Sequence, residues 1–287
     1  VFLEPGDLVV CENPTYLAAL TVFRSYECGL LPIETDDDGM MPEDLERKLA
    51  ANPKARLMYI IPSFQNPTGR TWSLERRRKI LEIAQRYELP ILEDNPYGEL
   101  RYEGQTIPTL KSMDTTGVVT YMGSFSKVLS PGIRLGWMLA SRELIEKYES
   151  AKECADLQAS TLTQMVVDTY LAHNDLDENI RRLNELYRGR RDKMLALLAA
   201  EFPEGSRWTH PCGGLFLWAT LPEGIDTDAL LPITVAHKAA YIPGRAFFAD
   251  GDECRCLRLN FSNASEAQME QGIAIMGQVF RDALAKG

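Results

Sequence analysis

The sequence lacks the clustered ligands that would mark a metal site or a disulfide framework. It has only three histidines, which are scattered at positions 173, 210 and 237. Its six cysteines form no C-x-x-C pair, and one residue separates Cys254 from Cys256, a spacing that suits neither a common disulfide nor zinc. We therefore expect no metal site, and we expect reduced thiols in a cytoplasmic protein.

An excess of basic residues and long apolar runs are also missing. The formal net charge of -10 argues against nucleic acid as a partner, and no apolar stretch has the length that a bilayer span requires. We expect no membrane association. Internal repeats and low-complexity segments are absent, and 287 residues allow about two domains.

The first half of the chain alternates between short apolar runs and amphipathic stretches. Residues 57–61 form a run of strand length, and a helix follows from about Ser73 with Ile80, Ile83, Ala84 and Tyr87 on one face. Residues 90–92 give another short strand. A strand, a helix and a strand in this order predict a right-handed crossover in a parallel sheet, with every strand end at one edge.

Polar side chains follow these two predicted strands and a third one predicted over residues 118–121. They are Asn66, then Asp94 with Tyr97, then Lys127 with Ser124, Ser126 and the later Arg134. Hydroxyls and a guanidinium can hold a phosphate, and a partly desolvated lysine amine can attack a carbonyl. The run around Lys127 therefore suggests a covalently held, phosphorylated aldehyde cofactor, although alone it fits an ordinary surface loop equally well.

The second half of the chain predicts a different unit. A further strand is expected over residues 133–140, followed by helices over about 142–152 and 161–173. A long amphipathic helix over about 176–201 would connect two domains, and a mixture of strands and helices follows it. We predict an α/β fold with three αβα layers and a mostly parallel sheet, plus a smaller C-terminal α+β domain. The expected domains are residues 1–175 and 176–287.

Five motifs occur in a fixed order along nearly the whole chain. They are Glu12-Asn13-Pro14-Thr15-Tyr16, Asn66-Pro67-Thr68-Gly69, Glu93-Asp94-Asn95-Pro96-Tyr97, Ser124-Phe125-Ser126-Lys127 with Arg134, and Arg258-Leu259-Asn260-Phe261. With them the chain resembles the fold-type I pyridoxal-phosphate enzymes, specifically the class I/II aminotransferases. The similar branch contains the 2-aminoadipate and kynurenine aminotransferases and the aminotransferase-like domains of MocR regulators.

The resemblance implies a role for each matching residue. Lys127 would form a Schiff base with pyridoxal 5′-phosphate and then carry a proton, which makes it catalytic together with Asp94 and Tyr97. The implied cofactor-binding residues are Tyr16, Asn66, Asp94, Tyr97, Ser124, Ser126, Lys127 and Arg134. Asn66 and Arg258 would bind the substrate, with Arg258 on its α-carboxylate.

The family usually carries an N-terminal stretch that this sequence does not show, including a phosphate-binding loop. We therefore expect a chain that begins inside the family pattern. The implied activity moves an α-amino group from an amino acid to a 2-oxo acid such as 2-oxoglutarate, in a homodimer. Three alternatives stay open: a pyridoxal-phosphate-dependent β-lyase or decarboxylase, the effector domain of a MocR-type regulator, and an inactive fragment of an otherwise competent enzyme.

Overall fold

The computed structural model describes residues 1–251 and 254–285, which are built around a seven-stranded sheet. Its strands are β1 (Leu8–Asn13), β2 (Gly29–Asp36), β3 (Gly39–Met40), β4 (Ala55–Ile60), β5 (Ile91–Asp94), β6 (Val119–Ser124) and β7 (Gly136–Leu139). They lie in the order β3-β2-β1-β4-β5-β6-β7. The five strands from β2 to β6 in this order are parallel, and the edge strands β3 and β7 are antiparallel to their neighbours. The predicted, mostly parallel sheet is confirmed.

Helices pack on both faces of this sheet, with α1 (Leu17–Ser25) on one face and α2 (Pro42–Ala51), α3 (Leu74–Arg86) and α4 (Leu110–Met113) on the other. Two further helices, α5 (Arg142–Asp156) and α6 (Thr161–His173), follow β7 in the chain. Since side chains alternate between the faces of a strand, Val9 and Val10 enter different hydrophobic cores. Val10 packs in the core that contains Ile80 of α3, whereas Val9 packs in the one that contains Phe23 of α1. The predicted three αβα layers are confirmed.

Helix α3 provides the crossover between β4 and β5. It begins where Ser73 caps it, because the Ser73 side chain accepts a hydrogen bond from the backbone N–H of Arg76. Ile80, Ile83 and Ala84 are buried, as predicted. Tyr87 was wrongly predicted on the same face: it follows the last residue of the helix and is 38% exposed.

A smaller antiparallel sheet lies in the C-terminal part. Its strands β8 (Arg207–Trp208), β9 (Phe216–Thr220), β10 (Ile242–Pro243) and β11 (Cys256–Asn260) lie in the order β10-β11-β9-β8. Helix α7 (Leu176–Glu201) precedes these strands, α8 (Thr227–Ala236) lies between β9 and β10, and α9 (Glu266–Leu284) follows β11. Leu198 of α7 and Ile273 of α9 share a core with Leu257 of β11. This is the predicted α+β unit, while the boundary between residues 175 and 176 stays a prediction.

The strand predicted over residues 133–140 is wrong at its beginning. Residues Pro131–Ile133 form a 3₁₀ turn, and Arg134 has a φ of 54°, in the left-handed region. Extended backbone therefore starts only at Gly136. Helix α1 and strand β2 were not predicted from the sequence, and β2 contains Pro32 within its apolar run.

None of the helices in residues 1–251 and 254–285 combines the length and the apolar character needed to span a lipid bilayer.

Candidate active site

The carboxyl ends of β1, β4, β5 and β6 meet at one edge of the large sheet and enclose a pocket of about 230 Å³. The residues that line it are Tyr16, Ile61, Asn66, Asp94, Pro96, Tyr97, Ser124, Ser126, Lys127 and Arg134. Parallel strands deliver their ends to the same edge, which is why segments far apart in sequence come together. All eight residues predicted from the sequence to bind a cofactor line this pocket, and Ile61 and Pro96 join them.

The two acidic residues that end β5 have different surroundings, because adjacent side chains of a strand point to opposite faces. Glu93 is fully buried and accepts hydrogen bonds from the backbone N–H groups of Leu110 and Lys111, at the start of α4. Asp94 points into the pocket and accepts a hydrogen bond from the Tyr59 hydroxyl at 2.6 Å. Burial raises the pKa of the Asp94 carboxyl, and the Tyr59 hydrogen bond opposes that rise.

Arg258 of β11 lies beside the pocket rather than in its lining. Its Nη1 donates to Oδ1 of Asn66 at 2.7 Å, which joins the small sheet to the end of β4. The guanidinium carbon lies 4.2 Å from the ring centroid of Phe216 and 5.0 Å from that of Phe247. Its Nε is buried without a hydrogen-bond partner, and burial lowers the pKa of the group. Among the described residues no carboxylate forms an ion pair with Arg258, so this side chain can accept an anionic ligand.

Lys127 is half-buried between two other cations. Burial is the main cause that lowers the pKa of its amine, and the charges of Arg134 and Arg258 add to the effect. Within the described part of the chain, Lys127 makes no hydrogen bond or ion pair. A neutral amine is a nucleophile and a base, so these surroundings favour the reactive form of the side chain.

The loop that carries Lys127 is held by several backbone contacts. The backbone N–H of Ser126 donates to Oγ of Ser124 at 3.0 Å, and that of Phe125 donates to the carbonyl of Leu135 at 3.1 Å. From α7, the side chain of Asn179 donates to the carbonyl of Val128 at 2.7 Å. The Asn179 contact joins the loop to the long helix, and nothing in the local sequence pattern indicated it.

Glu12 lies near the end of β1 and is another acidic residue of the site region. Its motif alone did not indicate what this side chain contacts. It is fully buried and accepts hydrogen bonds from the backbone N–H of Ile61 at 2.9 Å and from the Trp72 indole at 3.2 Å. Nearby, Gln65 donates to the carbonyl of Pro14 at 2.7 Å. These contacts connect the turn that carries Tyr16 to the loop that carries Asn66. Burial raises the pKa of Glu12 to about 8.

Glu12 gives a prediction for stability against pH. Its pKa is higher in the folded chain than in the unfolded one, so its contribution is complete at low pH and is lost as pH rises toward 8. We expect Glu12→Gln to gain stability relative to the parent by up to about 1.4 kcal/mol per pH unit between about pH 5 and 8. Urea unfolding across this range measures the difference in the free energy of unfolding between the variant and the parent. The control is Glu34→Gln, which changes an exposed side chain of β2. A difference that stays constant with pH would contradict the prediction.

Comparison with known proteins assigns the family. The sequence profile described as "Aminotransferase class I and II" matches residues 1–275. The chain belongs to the class I and II aminotransferases. It is similar to "Aromatic-amino-acid aminotransferase 1" of Thermococcus litoralis, with 44% identity over 290 residues that cover 100% of this chain and 70% of the relative. The predicted family is confirmed, and the chain is an enzyme of a family whose cofactor is pyridoxal 5′-phosphate.

Two other proteins extend this comparison. The solved structure of Pyrococcus horikoshii kynurenine aminotransferase in complex with PMP has a TM-score of 0.95 and 42% identity, covering 99% of this chain and 71% of that one. This likeness confirms the predicted fold-type I architecture for the class I/II aminotransferase described here. The chain also has 30% identity to the "Uncharacterized HTH-type transcriptional regulator YisV" of Bacillus subtilis, covering 97% of this chain and 57% of the regulator.

The charges of the aminotransferase pocket fit the cofactor of its family. Lys127 and Arg134 line the pocket and Arg258 lies beside it, and no described carboxylate forms an ion pair with any of the three. Asp94 also lines the pocket and is a desolvated carboxyl whose one donor among the described residues is Tyr59. A ligand with an anionic phosphate and a protonated ring nitrogen would complement both the cations and the carboxyl.

Proposed function

We propose that this aminotransferase moves the α-amino group of an amino acid to a 2-oxo acid, with 2-oxoglutarate as acceptor and Lys127 holding the cofactor as a Schiff base. One observation carries this proposal. Lys127, Asp94 and Asn66 line one pocket, and Arg258 donates a hydrogen bond to Asn66. The bound cofactor supplies a ring that accepts the electrons released at the substrate Cα.

The proposed roles divide the pocket between the parts of the cofactor. Asp94 pairs with the ring nitrogen and keeps it protonated, while Asn66 and the Tyr97 phenol bond the ring hydroxyl. Tyr16 stacks on the ring face. The phosphate is held by the hydroxyls and the guanidinium that follow β6, which are Ser124, Ser126 and Arg134. The depth of Asn66, which is 3% exposed, suits a polar group that meets a ligand rather than bulk water.

Lys127 and Arg258 act on the substrate in this proposal. The Lys127 amine would act as the base that removes the proton at the substrate Cα, which its lowered pKa permits. Arg258 binds the substrate α-carboxylate through its planar fork and orients the Cα–H bond toward Lys127.

A panel of amino donors with 2-oxoglutarate tests the reaction type. We expect each accepted donor to yield its own 2-oxo acid together with an equal amount of glutamate. Kynurenine, 2-aminoadipate and aromatic amino acids are the first donors to try, because relatives with those names are similar to this chain. Release of pyruvate with ammonia, without glutamate, would identify a β-lyase and overturn the proposal.

The similarity to the regulator favours a second candidate, the effector domain of a MocR-type protein. Such a domain would bind the cofactor in the same pocket and transfer amino groups slowly or not at all. The coding sequence upstream of this chain discriminates the two candidates, since a winged helix-turn-helix there would support the regulator. The higher identity of 44% to an aminotransferase is the reason for our preference.

We also propose that the protein is a homodimer. Apolar side chains are exposed on β7 and α6, including Trp137, Leu139, Leu162, Met165 and Val166. An exposed apolar surface of this kind is typical of a protein–protein contact. The Trp137 ring packs at 4.9 Å from that of Phe125 in the Lys127 loop, so a second copy bound there would lie next to the pocket.

Light scattering checks the dimer. We expect about twice the chain mass of 32.3 kDa, and a monomer after Leu162→Glu with Met165→Glu, because charges would then enter the apolar contact. The same two charges introduced in the small domain at exposed Ile233 and Val235 of α8, as Ile233→Glu and Val235→Glu, should leave the mass unchanged. A parent chain that scatters as a monomer at every concentration would contradict the proposal.

We propose a cytoplasmic location on the basis of the thiols. Among the described residues, Cys11, Cys28, Cys154, Cys212 and Cys254 form no disulfide bond, and the reducing cytosol keeps such thiols from oxidation. Fractionation of cells that express the protein checks this location, and recovery outside the cytosolic fraction would contradict it.

A further inference from the structure

The Tyr59 hydroxyl is the feature of this site that no motif assigned. Tyr59 lies in β4, where it pairs with Leu92 of β5, and side-chain alternation places Tyr59 and Asp94 on one face of the sheet. Its hydroxyl donates to Oδ2 of Asp94 at 2.6 Å, and the residue is only 3% exposed. The Phe23 ring of α1 packs against it edge-on at a centroid distance of 5.8 Å. The phenol is therefore held in place by packing on its far side.

This hydrogen bond changes the balance between the two forms of Asp94. Burial favours the neutral acid, and among the described residues Tyr59 is the only donor to the carboxylate. Burial and the Asp94 charge raise the pKa of Tyr59 well above its usual range, so the phenol stays protonated and keeps donating. Because the hydroxyl occupies one carboxylate oxygen, the other is left for a ligand in the pocket.

We infer that Tyr59 is a positioning residue that keeps Asp94 ionised and aimed at the ring nitrogen of the cofactor. This inference rests on the proposed function, since it gives Asp94 a partner in the pocket. Tyr59 itself does not line the pocket and acts through Asp94 alone. It differs in this from Tyr97, which reaches the pocket directly.

Other titratable groups surround Tyr59 and Asp94, and their effects on cofactor binding must be distinguished from the effect of this pair. Glu12 of β1, Tyr97 after β5 and Tyr121 of β6 are the neighbours whose charges interact with Tyr59 or Asp94. Burial raises the pKa of Glu12 to about 8, so it titrates in the range of interest. An Asp94→Asn background keeps all three neighbours and removes only the carboxylate, so it isolates the part that belongs to Asp94.

The experiment measures the dissociation constant of pyridoxal 5′-phosphate from cofactor-free protein, by absorbance titration, for the parent and Tyr59→Phe. We expect Tyr59→Phe to raise the constant, and to raise it by a larger factor at about pH 6 than at about pH 8.5, because the Asp94 carboxyl without its donor is protonated more readily as pH falls. In the Asp94→Asn background, Tyr59→Phe should have no further effect at either pH.

Tyr241→Phe is the matched control. Tyr241 is 4% exposed, and its hydroxyl donates to a backbone carbonyl at 2.6 Å in the small domain, so it loses a similar bond away from the pocket. Thermal unfolding of all variants shows whether each one is folded. A Tyr59→Phe effect that is independent of pH, equal to that of Tyr241→Phe, or unchanged in the Asp94→Asn background would overturn the inference. If the parent itself does not bind the cofactor, the proposed function fails instead.

Discussion

Lys127→Ala is expected to lose the imine absorbance band of the bound cofactor and at least about 10⁴-fold of the amino-transfer activity. Two separate losses combine in this variant. The amine that would hold the cofactor covalently is gone, and so is the base that would remove the proton at the substrate Cα. The half-buried amine has no described partner within the protein, so its removal breaks no hydrogen bond or ion pair of the described fold.

Absorbance titration with pyridoxal 5′-phosphate and stopped assays of 2-oxo acid formation measure the two losses. Lys147→Ala on α5 is the control, because that lysine is exposed and remote from the pocket. Ser126→Ala should weaken cofactor binding while the imine band persists, which separates phosphate contacts from covalent attachment. An unchanged band in Lys127→Ala would remove this lysine from the proposed role and leave the amine unidentified.

The sequence allowed the site to be predicted where function depends on strand ends. Asn66, Asp94 and Lys127 each follow an apolar run, and a parallel sheet brings such ends together whatever the loops between them do. The same logic predicted α3, because its cap at Ser73 and its buried residues are local. These features depend on neighbours in sequence or on a general rule of sheet topology.

Other contacts of the site depend on packing between distant segments and could not be read from local pattern. Tyr59 stood in an apolar run, and a buried tyrosine hydroxyl needs a partner, but only the β4–β5 register identifies it as Asp94. Arg258 and Asn66 lie 192 residues apart and meet because the small sheet packs over the end of β4. The turn before β7 was also missed. Arg134 adopts a left-handed backbone conformation there, and arginine is not a residue type from which such a conformation is predicted.

Arg258→Gln is expected to lower kcat/KM by roughly 10²–10³-fold for every amino donor, by the same factor within about threefold. The uniformity follows from the proposed contact, because the α-carboxylate is common to all amino acids. Glutamine keeps a donor for Asn66 but has neither the charge nor the planar fork that lies between Phe216 and Phe247. Arg258→Lys should recover only part of the loss, since an ammonium restores the charge without the paired donors.

The pattern of losses across donors tests which group Arg258 binds. An imine band should still form in Arg258→Gln, because Lys127 is retained, and Arg142→Gln on exposed α5 serves as the control for lost charge. A loss confined to donors with acidic side chains would show that Arg258 reads the side chain rather than the α-carboxylate. The guanidinium would then select substrates, and the anchor common to all donors would have to be sought among Arg134, Tyr16 and Asn66. A uniform loss would mean that uncharged side chains of the site select among the donors. Phe216 and Phe247, which pack against Arg258, are such side chains.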